Sequence, residues 1–309
     1  MIIDVHMHLG DFLHTNGAHI IGEKIPFPKK FNIQAFEENI LKFNSFGWTK
    51  RLFEKYDDAY TASVQNRIKA ATYENLLKYY SILEDYSVSI LGDNNVSSFC
   101  MPIAPYVSMD DIQEWTHKDH RLMPFTSIDV SLSSKEACER IADQMDSCYG
   151  IKLHPIIQGL PFDSELTFSV LDLFKTTGKP VLFHAGGSRY YLGNEKPLQH
   201  CELDNIQAAR SMVSRYPEIP FIIGHGGIAE YKEWCLAMSE FENVFLDITV
   251  QSVSSIRYLL SQYGEDRILF ATDWPCVNPK TTLKIVTKAL TFPQLEKCLY
   301  RNAKNLFGL

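Results

Sequence analysis

Eight short apolar runs, each followed by a stretch of helical periodicity, constrain this 309-residue chain more than any other feature. The runs are 2–6, 98–104, 124–129, 150–154, 180–184, 220–225, 243–248 and 267–272. They are rich in Val, Ile and Phe and continuously apolar, the pattern of parallel strands buried on both faces. Helices are expected between them over 134–148, 164–177, 203–216, 229–241, 252–263 and 279–291. Gly178 ahead of Lys179-Pro180, and the Tyr216-Pro217 pair, mark helix stops. Strict β-α alternation over eight strands predicts an α/β fold, a (β/α)₈ TIM barrel of about 250 residues. The surplus follows strand one, where residues 11–95 read as a helical insertion with helices around 34–56 and 59–91. Neither a Gly/Ser linker nor a repeat divides the chain, so 1–309 is expected as one domain.

Composition narrows the class. A net charge of −7 with scattered basic residues argues against a nucleic-acid or anionic-membrane partner. Seven cysteines, odd in number and with no C-x-x-C pair, read as reduced and mostly buried thiols of a cytoplasmic protein. The N-terminus enters a strand at once rather than a signal peptide. No uncharged apolar run reaches the roughly 18 residues of a membrane span. The expected partner is a small-molecule substrate, with self-association left open.

Strand one ends in His6-Met7-His8. Residues two apart on a strand share a face, so two imidazoles stand side by side, a pairing suited to a transition metal such as zinc. A chance His-x-His on a surface strand is the competing reading. The pattern recurs, however: Lys152 and His154 end strand four, His184 strand five, His225 strand six and Asp273 strand eight. Active sites of such barrels lie at these C-terminal ends. Lys152 and His154 share one side of their strand, and a lysine inside an apolar barrel needs a partner or a rim to reach.

D-V-H-M-H-L at the start, G-I-K-L-H-P at 150–155 and V-L-F-H-A-G-G at 181–187 resemble the amidohydrolase superfamily. F-I-I-G-H-G-G at 221–227, N-V-F-L-D at 243–247, R-I-L-F-A-T-D-W-P at 267–275 and the closing L-Y-R-N-A-K-N-L-F-G-L extend the likeness. It is best to the branch that includes aminocarboxymuconate semialdehyde decarboxylase, and residues 11–95 match poorly. The resemblance implies that His6, His8, His184 and Asp273 hold one divalent metal, zinc first and manganese second. Three imidazoles and a carboxylate leave room for a water, as catalytic zinc sites do. By the same resemblance Asp273 doubles as a base and His225 is an acid/base beside the metal. Lys152 would remain an ordinary amine facing Asp273 or a substrate acid.

Loops set specificity in such a fold. His154, Arg189 in the loop after His184, and Trp274 beside Asp273 are substrate-binding candidates; Trp274 reads equally well as a packed core indole. Tyr190 and Tyr191 add two phenols next to Arg189. His14, His19, Trp48 and Arg51 would roof the pocket, while His117, His120 and His200 read as surface. The implied activity is metal-dependent hydrolysis of a small amide, ester or lactone. A non-oxidative decarboxylase or a hydratase could use the same site, and a catalytically silent metal- or ligand-binding barrel is the rival from another class.

Overall fold

β1 (Ile2–Met7) is buried along its whole length and pairs in parallel with β2 (Val96–Cys100). The structure, a computed structural model, describes residues 1–13 and 47–309, and the side chains of 47–57 are outside the description. β3 runs over Leu122–Pro124 and, past Phe125, over Thr126–Ser127. Then come β4 (Ile151–Leu153), β5 (Val181–Phe183), β6 (Phe221–Ile223), β7 (Val244–Asp247) and β8 (Ile268–Leu269), each parallel to its predecessor. Phe125 N donates to Cys100 O at 2.9 Å and Thr126 N to Gly150 O at 2.9 Å, carrying the pairing through β3. Val5 N to Phe270 O (3.0 Å), Asp273 N to His6 O (2.7 Å) and His8 N to Trp274 O (2.7 Å) close β8 onto β1. The result is a (β/α)₈ TIM barrel.

Two helices, α1 (Gly47–Lys69) and α2 (Tyr73–Leu91), precede β2. Around the barrel follow α3 (Met109–Thr116), α4 (Ser134–Gln144), α5 (Pro155–Gln158), α6 (Glu165–Phe174) and α7 (Ile206–Arg215). The series ends with α8 (Tyr231–Met238), α9 (Val253–Tyr263), α10 (Pro279–Ala289), α11 (Phe292–Glu296) and α12 (Asn302–Phe307). Side chains of Ser133, Ser164, Asn205, Ser252 and Asn278 cap helix N-termini by accepting backbone N–H bonds. An inner cluster that includes Ile3, Val5, Phe99, Phe125, Leu182 and Ile222 is fully buried, and Phe307 stacks on Phe99 at 3.9 Å.

Several boundaries differ from the sequence reading. The expected helix over 59–91 is two helices, because Gly10 N takes the Ala71 carbonyl and Asn75 Nδ2 takes that of Ala70. α3 fills the interval after β2, for which no helix bounds were named; Ser108 and Asp111 start it with a reciprocal capping box. Every strand after the first is shorter than expected, and His154, His184, His225 and Asp273 lie just past theirs. At His225 and Asp273 the backbone turns left-handed (φ 56° and 51°), which ends the extended strand path there. His14, His19 and the expected helix from 34 to 46 lie outside the described residues, as do the side chains of Trp48 and Arg51. No helix among the described residues is long and apolar enough to cross a membrane. All seven cysteines are free, and five are buried.

The loops after β5 and β6 touch backbone to backbone. A Cβ on Gly186 would sit 2.6 Å from the Gly227 carbonyl, and one on Gly227 would sit 2.5 Å from the Trp234 ring. Gly92 shares the positive φ of Gly227 but has open space around it. Gly92→Ala should therefore cost about 1 kcal/mol from backbone strain alone. Gly227→Ala adds overpacking and should cost about 1–3 kcal/mol more. Urea unfolding of the two variants reads the difference directly.

Candidate metal centre and active site

Each histidine of strand one has one ring nitrogen committed away from the site. His6 Nδ1 donates to Asp247 Oδ2 at 2.6 Å, and His8 Nδ1 donates to Met101 O at 2.7 Å. Those bonds place the proton on Nδ1 and leave both Nε2 atoms bare, 3.1 Å apart. Asp273 Oδ1 lies 3.3 Å from His8 Nε2 and 3.6 Å from His6 Nε2. Two lone pairs and a carboxylate facing one another in a buried space fit a cation. Donor atoms of His6, His225 and Asp273 all fall within 4.8 Å of one another, a cluster that can hold a metal ion.

His184 stands at the side of this cluster. Its ring centre is 5.0 Å from that of His225 and 4.2 Å from that of His154, on which it stacks nearly parallel. His184 Nε2 donates to Gly186 O at 2.9 Å, so its bare nitrogen is Nδ1, which is buried without a hydrogen-bond partner. His225 Nδ1 is likewise buried and unpartnered. A buried polar nitrogen without a partner calls for an explanation, and the two here have lone pairs that suit metal binding.

The electrostatics agree. Burial would raise the Asp273 carboxyl, but the surrounding His225, His8 and His6 outweigh it and hold Asp273 below the ordinary carboxylate range. Burial holds His6, His8, His154 and His184 below the ordinary imidazole range, with nearby Lys152 adding to it, which favours the neutral form of each. Lys152 is completely buried with Nζ 2.9 Å from His6 Nε2. Burial pulls it down to about 8, against the opposing pull of Asp273 and Asp247.

A cavity of about 560 Å³ opens onto His225 and Asp273, walled by Val64, Ile228 and Val277 among others. Arg189 lines its rim and pairs with Asp58 at 2.9 Å. His154 lies beneath the loop after β5, with Nε2 3.1 Å from the Tyr190 hydroxyl. Trp274 is buried against Tyr79, 5.2 Å between ring centres, which is the core-indole alternative of the sequence reading. His117 and His120 are exposed, while His200 is partly buried with its ring against Gly159. Two carboxylates were missed as site components although both lie in motifs quoted above. Asp247 orients His6, and Asp4 accepts the His6 backbone N–H at 3.0 Å. Their signal was position: each lies on a strand that carries or faces a histidine.

The amidohydrolase family model matches residues 108–309, and the chain belongs to that family. It is similar in fold to an uncharacterised TIM-barrel protein from Bordetella bronchiseptica (TM-score 0.66, 15% identity, 99% of this chain and 98% of that one). It is also similar to 5-carboxyvanillate decarboxylase from Sphingomonas paucimobilis (0.62, 11%, 100% and 99%). A third likeness is to a probable 2-pyrone-4,6-dicarboxylic acid hydrolase from Acinetobacter baumannii (0.57, 11%, 100% and 99%). No curated protein matches the sequence. The chain is an amidohydrolase-superfamily enzyme.

Two outcomes follow from this geometry. Asp247→Asn should lower zinc affinity about 10- to 100-fold, because the amide no longer fixes the His6 tautomer; competition with a chelating dye measures it. Asp204 Oδ1 is buried without a hydrogen-bond partner, and burial together with Glu230 pushes the carboxyl up to about 7. A raised carboxyl gives stability that is full below its unfolded value of 3.8 and is lost as pH rises through about 7. Asp204→Asn should flatten that decline in thermal melts across the interval.

Proposed function

We propose that this protein is a metal-dependent hydrolase of a small-molecule amide, ester or lactone. The observation that carries this reading is the pair of bare Nε2 atoms of His6 and His8 facing Asp273, which itself lines the pocket. His6, His8, His184 and Asp273 would hold one divalent ion, zinc or manganese. Such an ion supplies positive charge that polarises a carbonyl oxygen and acidifies water. Asp273 stays ionised and can accept a proton from water at its free oxygen. His225, with Nδ1 unpartnered beside the pocket, can take that proton on and deliver it to the leaving nitrogen or oxygen. Lys152, in contact with His6 and acted on by Asp273, adds positive charge beside the donor cluster.

Decarboxylation is the second reading, favoured by one observation. Arg189 and Lys196 line the pocket, and Asp273 is the one acidic residue among its described lining residues, a balance suited to a carboxylated substrate. In that reading His225 gives its proton to a substrate carbon before carbon dioxide leaves.

Chelation should abolish turnover, and zinc or manganese should restore it. His225→Asn should lose about 10²- to 10⁴-fold in kcat while keeping its metal. Loss of metal together with activity would make His225 a ligand instead. A panel of lactones, amides and carboxylated aromatics, followed by pH-stat and by carbon dioxide release, separates the two chemistries. No turnover of any member by the metal-loaded protein would discard both.

A further inference from the structure

The His154–Tyr190 pair does something the metal cluster does not require. His154 is the N-cap of α5, and its Nδ1 accepts the Ile157 backbone N–H at 3.4 Å. A nitrogen that accepts cannot carry a proton, so the His154 proton sits on Nε2. Nε2–H therefore donates to the Tyr190 hydroxyl oxygen, 3.1 Å away. With this oxygen accepting from His154, the phenol has its own proton left to give.

The pieces of this relay are fixed. Gln158 Oε1 holds the His154 backbone N–H at 2.7 Å, and its Nε2 reaches Ala104 O and Ile128 O. Gln199 Oε1 holds Tyr190 N at 2.7 Å, and Gln65 Nε2 holds Tyr190 O at 2.8 Å. Tyr190 lines the cavity together with Arg189, Lys196 and an apolar wall that includes Ile228 and Val277.

We infer that Tyr190 is the specificity-determining hydrogen-bond donor for a carboxylate oxygen of the substrate, and that His154 is its positioning residue, fixing the phenol as donor through its tautomer. The substrate is then a small carboxylic acid with an apolar body. This rests on the cavity being the substrate site, and it deepens the reading above without depending on which bond is broken. The hydroxyl gives the anion a charge-assisted bond that a neutral amide would gain far less from.

The test is equilibrium binding of benzoate and, as the neutral isostere, benzamide to the zinc-loaded protein. Asparagine reproduces the position of Nδ1 and glutamine that of Nε2, so the two substitutions of His154 separate its two bonds. Tyr190→Phe and His154→Asn should each weaken benzoate about tenfold or more, with benzamide changed less than about twofold. His154→Gln should stay within about threefold of wild type, and the double variant Tyr190→Phe/His154→Asn should be no weaker than Tyr190→Phe alone. ¹⁵N NMR of His154 should show a protonated Nε2 and a bare Nδ1. The opposite order, with His154→Asn tolerated and His154→Gln weak, would mean that His154 acts only as a helix cap and would overturn the inference. So would equal losses for benzoate and benzamide in Tyr190→Phe, a protonated Nδ1, or no benzoate binding by the wild type. If the benzoate pattern holds while no ester, amide or lactone is turned over, the inference stands and the hydrolytic reading falls.

Discussion

The seam between β8 and β1 is the constraint on which the site depends. Asp4 sits inside it, completely buried, and accepts four hydrogen bonds. Oδ1 takes the backbone N–H groups of His6 (3.0 Å) and Thr272 (3.1 Å), and Oδ2 takes the hydroxyls of Tyr79 (2.6 Å) and Thr272 (2.5 Å). One carboxylate thus ties the first strand, the end of the last strand and helix α2 together. Burial pushes its carboxyl up to about 7 even though all four donors favour the anion. Beside it, Asp273 N–H bonds the His6 carbonyl. The ring closes and the donor set assembles through the same few atoms, so a disturbance of the seam displaces His6, His8 and Asp273 at once.

That coupling explains why so many ionisable groups can be buried here. Neutral imidazoles avoid the cost of buried charge, and each proton is parked on an outward bond to Asp247, Met101 or Gly186. What remains inward is a set of lone pairs and one firmly ionised carboxylate. Lys152 is the described cation nearest to them, in contact with His6, and burial lowers its hold on its proton. A divalent ion would satisfy the lone pairs that a single ammonium cannot, which is why metal binding and integrity of the barrel mouth are expected to be linked.

The barrel and its site were legible because both rest on local pattern. Continuous apolar runs give parallel strands, and a histidine or aspartate at the end of such a run stands at the barrel mouth whatever the intervening loops do. The partners of those residues were less legible. His6 and Asp247 are 241 positions apart, and only a closed ring puts them in contact. His154 read as a substrate contact from its place beside Lys152, yet its bonds run to Ile157 and Tyr190, which depends on a short helix that no periodicity could announce. The helix break at 70–72 was hidden for the same reason, since the groups that cause it include Gly10 from the other end of the insertion.

Backbone strain marks the same place as the chemistry. Among the described residues four non-glycine positions adopt positive φ, His225 (56°), Ile228 (47°), Val250 (62°) and Asp273 (51°), and all four line the cavity that opens onto the donor cluster. For β-branched Val250 and Ile228 this is unusual, and such conformations cost about 1–3 kcal/mol each. They persist because neighbouring bonds over-determine them. Gln251 Nε2 donates to both His225 O (2.6 Å) and Ile228 O (3.0 Å), bridging the turn, and Cys276 N donates to Asp273 O at 2.7 Å. A left-handed residue redirects the chain at the end of a strand, and His225 and Asp273, where the chain turns, both line the cavity at the barrel mouth. A scaffold kept only for packing has no use for such turns at four positions around one cavity. Their coincidence with the unpartnered imidazoles is the strongest structural reason to read this mouth as a working site.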